Sequence, residues 1–145
     1  MKIHGTILGL DFGTKRIGLA VGQMVTATAS ALGTIAAIQG EPAWNELDKV
    51  IDEWQPVAFV VGLPLNMDGT SQPITKQAKH FAAALEQHYN LPVYLADERL
   101  TTREAREHIF QQGGYRALMA EPVDGMAAQI ILTEWLQQQK TNLAQ

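Results

Sequence analysis

The chain has 145 residues, 46% of them apolar, with a net charge of −4 and no cysteine. That length gives one domain with a true core, the apolar share excludes a disordered chain, and the missing cysteines exclude a disulfide framework or a thiolate metal site. The first residues lack the segments of a signal peptide, and no apolar run approaches the roughly 18 residues of a membrane span, so a soluble cytoplasmic protein with no membrane partner is expected.

In chain order, Ile3, Ile7, Leu8 and Leu10 lead as a strand into "DFGTKR". Ile17, Leu19 and Val21 then alternate with Gly18, Ala20 and Gly22, the pattern of a second strand in a hairpin. The Thr, Val and Ile content of "MVTATASALGTI" predicts a third strand. From Ala43 the period changes: Trp44, Leu47, Ile51 and Trp54 mark one helical face that Pro56 ends, with both tryptophans expected in the core. "VAFVVGLPL" reads as a strand buried on both faces, and "LNMDGTSQP" as a polar turn. Ile74, Ala78, Phe81 and Leu85 define a second helix, and "LPVYLA" a further strand. Thr101 and Glu104 form a capping box for a third helix, closed by Gly113 and Gly114. Pro122 suits the first turn of a last helix with the face Val123, Met126, Ala127, Ile130 and Ile131. The order βββαβαβαα predicts an α/β fold, a mixed sheet flanked by helices, as a single domain over residues 1–140 with 141–145 a frayed tail.

Asp11 is out of character at the end of an apolar strand, because Asp is a poor strand former and costly to bury unpaired. Ligands of open α/β sheets gather beyond the carboxyl ends of parallel strands. Asp11 lies at such an end, as do Asp97 and Glu98 in "ADERLTT", while Asp124 opens the last helix. Three like charges meeting there would need a divalent cation, Mg²⁺ or Mn²⁺. Paired metals about 3.5–4 Å apart would activate a water and steady the leaving oxygen of a phosphodiester. Against this stand bland roles: a turn former for Asp11, a surface ion pair for Glu98, and a helix-dipole partner for Asp124. The net charge decides nothing, since nucleic-acid binders are usually basic but a metal-binding acid cluster leaves a chain acidic.

The segments "LGLDFGTKRIGLAVG", "VVGLPLNMDGT", "LADERLTT" and "VDGMAAQIIL" resemble, in this order, the signature segments of the YqgF/RuvX family of ribonuclease H-like proteins, from about Ile7 to Leu136. The resemblance implies a ribonuclease H-like fold similar to that of the resolvase RuvC. It implies a hydrolase, a metal-dependent nuclease in the maturation of the 5′ end of pre-16S rRNA during ribosome biogenesis. It further implies Asp11, Glu98 and Asp124 as catalytic, metal-binding acids; Asp97, beside Glu98 in the chain, is the stand-in should Glu98 be structural. The last motif of the family commonly reads Asp-Ser; here it is Asp124-Gly125, a lost hydroxyl and a looser helix start.

Lys15, Arg16, Arg99, Arg103 and Arg116 are the cations expected to meet substrate phosphates. Asn66, with Asp68 and Thr70, would line the site or cap the next helix. Lys76 and Lys79 fit a solvated helix face, Tyr115 a packing role, and the four histidines share no ligand spacing. The expected partner is structured nucleic acid, RNA or a DNA junction, within pre-ribosomal particles in the first case, bound by a monomer or homodimer. The rival readings are a Holliday junction resolvase, a non-catalytic RNA-binding assembly factor, and an actin-like or sugar-kinase-type nucleotide-binding domain, whose first phosphate loop "DFGTKRIG" also resembles.

Overall fold

The computed structural model describes residues 5–64, 68–97 and 125–143. Four strands open the chain: β1 (Thr6–Asp11), β2 (Arg16–Gln23), β3 (Thr28–Ile38) and the short β4 (Glu41–Pro42). They are followed by α1 (Trp44–Trp54), β5 (Ala58–Leu63), α2 (Pro73–Tyr89), β6 (Val93–Asp97) and α3 (Met126–Leu143). The sheet order is β4-β3-β2-β1-β5-β6, with β1 to β4 antiparallel in succession and β5 and β6 running parallel to β1. This is the expected mixed sheet. The third helix anticipated from Thr101 and the start anticipated at Pro122 lie outside the described residues.

Alternation along β1 splits the core into two layers. Leu8, Leu10 and Phe12 join Leu47 of α1 and Ala78, Phe81 and Leu85 of α2. Ile7 packs on the other face, with Ala128, Ile131, Leu132, Trp135 and Leu136 of α3. A helix–sheet–helix sandwich results, with β1 at its centre. The face of α3 is partly offset from expectation: Ile131 turns inward as expected and Ala128 joins it, whereas Ala127 is exposed. The anticipated third strand also starts late. Residues 24–27 form a turn in which the Ala27 N–H donates to the Gln23 carbonyl at 3.0 Å, and Ala27 takes a φ of 51° that no strand accommodates.

Local chemistry sets the helix ends. Gln55 and Asn90 take left-handed conformations after α1 and α2 and donate their N–H groups to Ile51 and Glu86. Pro73 occupies the first turn of α2, and the Gln72 N–H donates to Thr75 Oγ1 at 2.8 Å. The fully buried Thr75 hydroxyl donates in turn to the Pro64 carbonyl, which ties the end of β5 to the start of α2.

Where the start of α1 meets the end of α2, Trp44 stacks on His88 with ring centroids 4.2 Å apart. The Tyr89 hydroxyl donates to Asp48 Oδ1 at 2.7 Å. Trp54, by contrast, is not in the core: on the last turn of α1 it is 37% exposed and borders a shallow cavity with Thr6 and Val21. Burial, then the hydrogen bond to Asp48, then the negative charges of Asp48 and Asp52 push the Tyr89 phenol above its ordinary value. A phenol held protonated in the folded state stabilises it fully below the unfolded value near 10, and that contribution drains away as pH rises further. Tyr89→Phe is expected to cost roughly 0.5–1.5 kcal/mol at pH 8. In urea denaturation the gap to wild type should narrow at pH 11; a constant gap would remove the phenol from the account.

Candidate active site

Asp11 ends β1, half-buried, and its register partner across the hairpin is Gly18. Strand alternation carries Ile7, Gly9 and Asp11 onto the α3 face of the sheet. Glycine is what lets the helix come close. A Cβ at Gly9 would stand 2.8 Å from Leu132 Cβ, and one at Gly22 would stand 2.8 Å from Leu136 Cδ1. A Cβ at Gly18 would lie 3.5 Å from Asp11 Cβ, 3.6 Å from Gly125 Cα and 3.7 Å from Ala128 Cβ. Three side chains one helical turn apart, Ala128, Leu132 and Leu136, thus seat α3 in a trough of three glycines. The seat brings the start of α3 against Asp11, and the residue preceding Gly125 in the chain is Asp124.

The turn after Asp11 is fixed from both sides. Phe12 is buried with its ring 5.3 Å from that of Phe81, anchoring the turn in the opposite core layer. A Cβ at Gly13 would fall 2.3 Å from the Arg16 carbonyl oxygen, so only glycine closes this loop. The Gly40 N–H donates to the Thr14 carbonyl at 3.0 Å, and the Ala37 N–H to that of Lys15 at 2.9 Å. Lys15 and Arg16 are exposed on this turn, at the edge where Asp11 stands.

Gly125 is closely packed where its helix starts. It has φ +89°, and a Cβ there would lie 2.6 Å from the Leu19 carbonyl oxygen and 2.8 Å from that of Gly33. Its backbone sits directly on a β-bulge, where pairing slips between Leu19 and Ala20 and Gly33 takes φ +106°. The Gly125 carbonyl accepts the first helical bond from the Gln129 N–H at 2.9 Å, and Gln129 Nε2 reaches the Ala29 carbonyl at 3.0 Å.

Asp97 ends β6 beside Leu63 of β5, at the same sheet edge as Asp11. Tyr94 and Ala96 pack in the α3 layer and Val93 in the other, so alternation assigns Asp97 to the face opposite Asp11. It shares an edge with Asp11, not a face. Asp68 Oδ1 accepts from the Thr70 N–H at 3.0 Å and from the Thr70 hydroxyl at 2.6 Å, which makes this pair a turn in itself. Glu98, Asp124, Asn66, Arg99, Arg103 and Arg116 lie outside the described residues. Among those that are described, no three His, Cys, Asp or Glu side chains cluster as a metal site, and no helix is long and apolar enough to cross a membrane.

The sequence and the fold were compared with known proteins. Thermus thermophilus RuvC in complex with a Holliday junction substrate superposes with a TM-score of 0.60 at 18% identity, over 95% of this chain and 97% of that one. The yeast mitochondrial Holliday junction resolvase gives a TM-score of 0.54 at 14% identity, over 97% and 83% of the two chains. These likenesses give the fold: a ribonuclease H-like sheet of the resolvase type. In sequence, a protein of Actinobacillus pleuropneumoniae serotype 7 named "Putative pre-16S rRNA nuclease" is 54% identical over 134 residues, 92% of this chain and 98% of its own. A protein of the same name from Klebsiella pneumoniae (strain 342) is 52% identical over 94% of this chain and 99% of its own. The RuvX family model, described as Holliday junction resolvase, matches residues 5–138. With the glycine-seated helix and the Asp11 turn both inside that span, the chain belongs to the RuvX family.

Proposed function

We propose that the protein is a divalent-metal-dependent nuclease that hydrolyses phosphodiester bonds in trimming the 5′ end of pre-16S rRNA, in the cytoplasm and on pre-ribosomal particles. The observation that carries this is the placement of Asp11 at the carboxyl edge of β1, with Gly125, the neighbour of Asp124 in sequence, packed against the same point. The names of its relatives support hydrolysis of nucleic acid as the reaction. Asp11 has the hard oxygen donors that Mg²⁺ and Mn²⁺ prefer, at a half-open position that admits substrate. Glu98 follows Asp97, the last residue of β6, in the chain and Asp124 precedes Gly125, and Asp11, Glu98 and Asp124 are the proposed ligands. Bound there, the metal would supply Lewis-acid stabilisation of charge on phosphoryl oxygens and acidify an attacking water.

The protein's own groups hold and orient. Asp11 is fixed by its strand and by a turn that only glycine closes. Arg16 and Arg99 would neutralise phosphate charge, and Lys15, Arg103, Arg116 and Asn66 would hold the strand on either side. No covalent enzyme intermediate is required.

The test offers precursor rRNA and a four-way DNA junction side by side, with Mg²⁺, with Mn²⁺ and with EDTA. Cleavage of the RNA that EDTA abolishes is expected. Cleavage of the junction alone would transfer the protein to DNA resolution, the description its family carries. Binding without cleavage of either would leave an assembly factor.

A further inference from the structure

We propose that the cleft beside the Asp11 turn is a subsite for one unpaired nucleotide of the substrate strand, an inference that rests on the nuclease reading. The cleft encloses about 320 Å³. Its floor is Phe12, which follows Asp11 in the chain but turns to the α2 face of the sheet while Asp11 turns to the α3 face, so a substrate strand running from Asp11 reaches the cleft over the carboxyl edge of the sheet. One wall is the β3–β4 turn, where Gln39 and Gly40 take φ values of 51° and 86°. That wall is held to the Asp11 turn by the bond from the Gly40 N–H to the Thr14 carbonyl. The opposite wall is α2, with Lys76, Gln77 and His80 all exposed.

Size and chemistry agree on the occupant. The volume stands at the low end of the ~300–1,000 Å³ of small-ligand sites, on the scale of a single nucleotide. Lys76 supplies a compact cation for a phosphate, and Gln39 and Gln77 can each donate to and accept from a base edge. His80 offers a ring on which any base can stack. The one acid of the lining, Glu41, accepts a hydrogen bond from Trp44 Nε1 at 2.8 Å, which turns it toward its own wall and away from cancelling Lys76. A Cβ at Gly40 would come within 3.0 Å of Phe12 Cζ, so glycine keeps the cleft open to its floor. Of the two lysines that periodicity assigns to a solvated helix face, Lys76 therefore has a ligand to meet; Lys79 does not line the cleft.

The triple variant Lys76→Ala, Gln77→Ala and His80→Ala tests this, because all three side chains are exposed and their loss leaves the core untouched. Binding is measured in the Asp11→Asn background, where cleavage is removed, to an RNA duplex with a single-stranded 5′ overhang and to the same duplex with blunt ends. The expected result is about tenfold weaker binding of the overhang RNA, a salt slope lower by about 1, and unchanged binding of the blunt duplex. Equal affinities for both RNAs with and without the three substitutions would overturn the subsite, as would an equal loss on both. Failure of the nuclease reading is separate: it would show as wild-type protein that cleaves neither RNA, whatever the binding arm reports.

Discussion

Asp11→Asn should leave the protein folded and lower cleavage about 10³-fold, because several kcal/mol of transition-state stabilisation are lost with the metal, at 1.36 kcal/mol per decade. Asparagine is nearly isosteric with aspartate and serves as well in turns. If Asp11 only shaped the turn before Phe12, the variant would therefore keep its activity. Stability offers a second readout of opposite sign. Among clustered carboxylates, removing one charge relieves repulsion in the metal-free protein, so the variant should melt at or slightly above the wild-type temperature. Adding Mn²⁺ at 100 times its dissociation constant should raise wild-type stability by about 2.7 kcal/mol and the variant's hardly at all. An unchanged Mn²⁺ response in Asp11→Asn would move the metal away from this strand end.

What could be read from the sequence and what could not follows from the range of each interaction. The strands and helices with strong period were legible because their pattern is local: Leu8, Leu10 and Phe12 alternate, and Ile74, Ala78, Phe81 and Leu85 step by three and four. Asp11 stood out for the same reason, as a charge against its local pattern. The β2–β3 turn was missed because Thr, Val and Ile favour strands, whereas the turn depends on the positive φ of Ala27, which no residue preference signals. Spacing alone puts Trp54 in the core, yet on the last turn of α1 it borders an open cavity against β1 and β2 and stays partly exposed. The glycines carried the least legible information. Gly18 and Gly22 read only as the small positions of an alternating strand, and Gly125 as a looser helix start, because their role depends on the facing helix. A signal did exist: Ala128, Leu132 and Leu136 form an i, i+4, i+8 row matched in number by Gly18, Gly9 and Gly22. Pairing such rows requires the register of two elements more than a hundred residues apart.

The glycine at position 18 gives the convergence its most direct mechanical test. Gly18→Ala adds a carbon at ordinary contact distances of 3.5–3.7 Å from Asp11, Gly125 and Ala128, so it should change stability by no more than about 1 kcal/mol and leave cleavage and the Mn²⁺ response in place. Gly18→Val adds two methyl groups beyond the one carbon the space holds, at a cost of about 1–3 kcal/mol, and they must push α3 away from Asp11. Cleavage and the Mn²⁺-induced rise in melting temperature should both be lost, although the protein remains folded. Gly9→Ala supplies the control. Its Cβ presses on Leu132 at 2.8 Å, in the middle of α3 and away from the strand end, so it should lower stability while the metal response survives. If Gly18→Val bound Mn²⁺ and cut substrate as wild type does, the close approach of Gly125 to Asp11 would have no part in assembling the site, and the acids would have to meet by some other path.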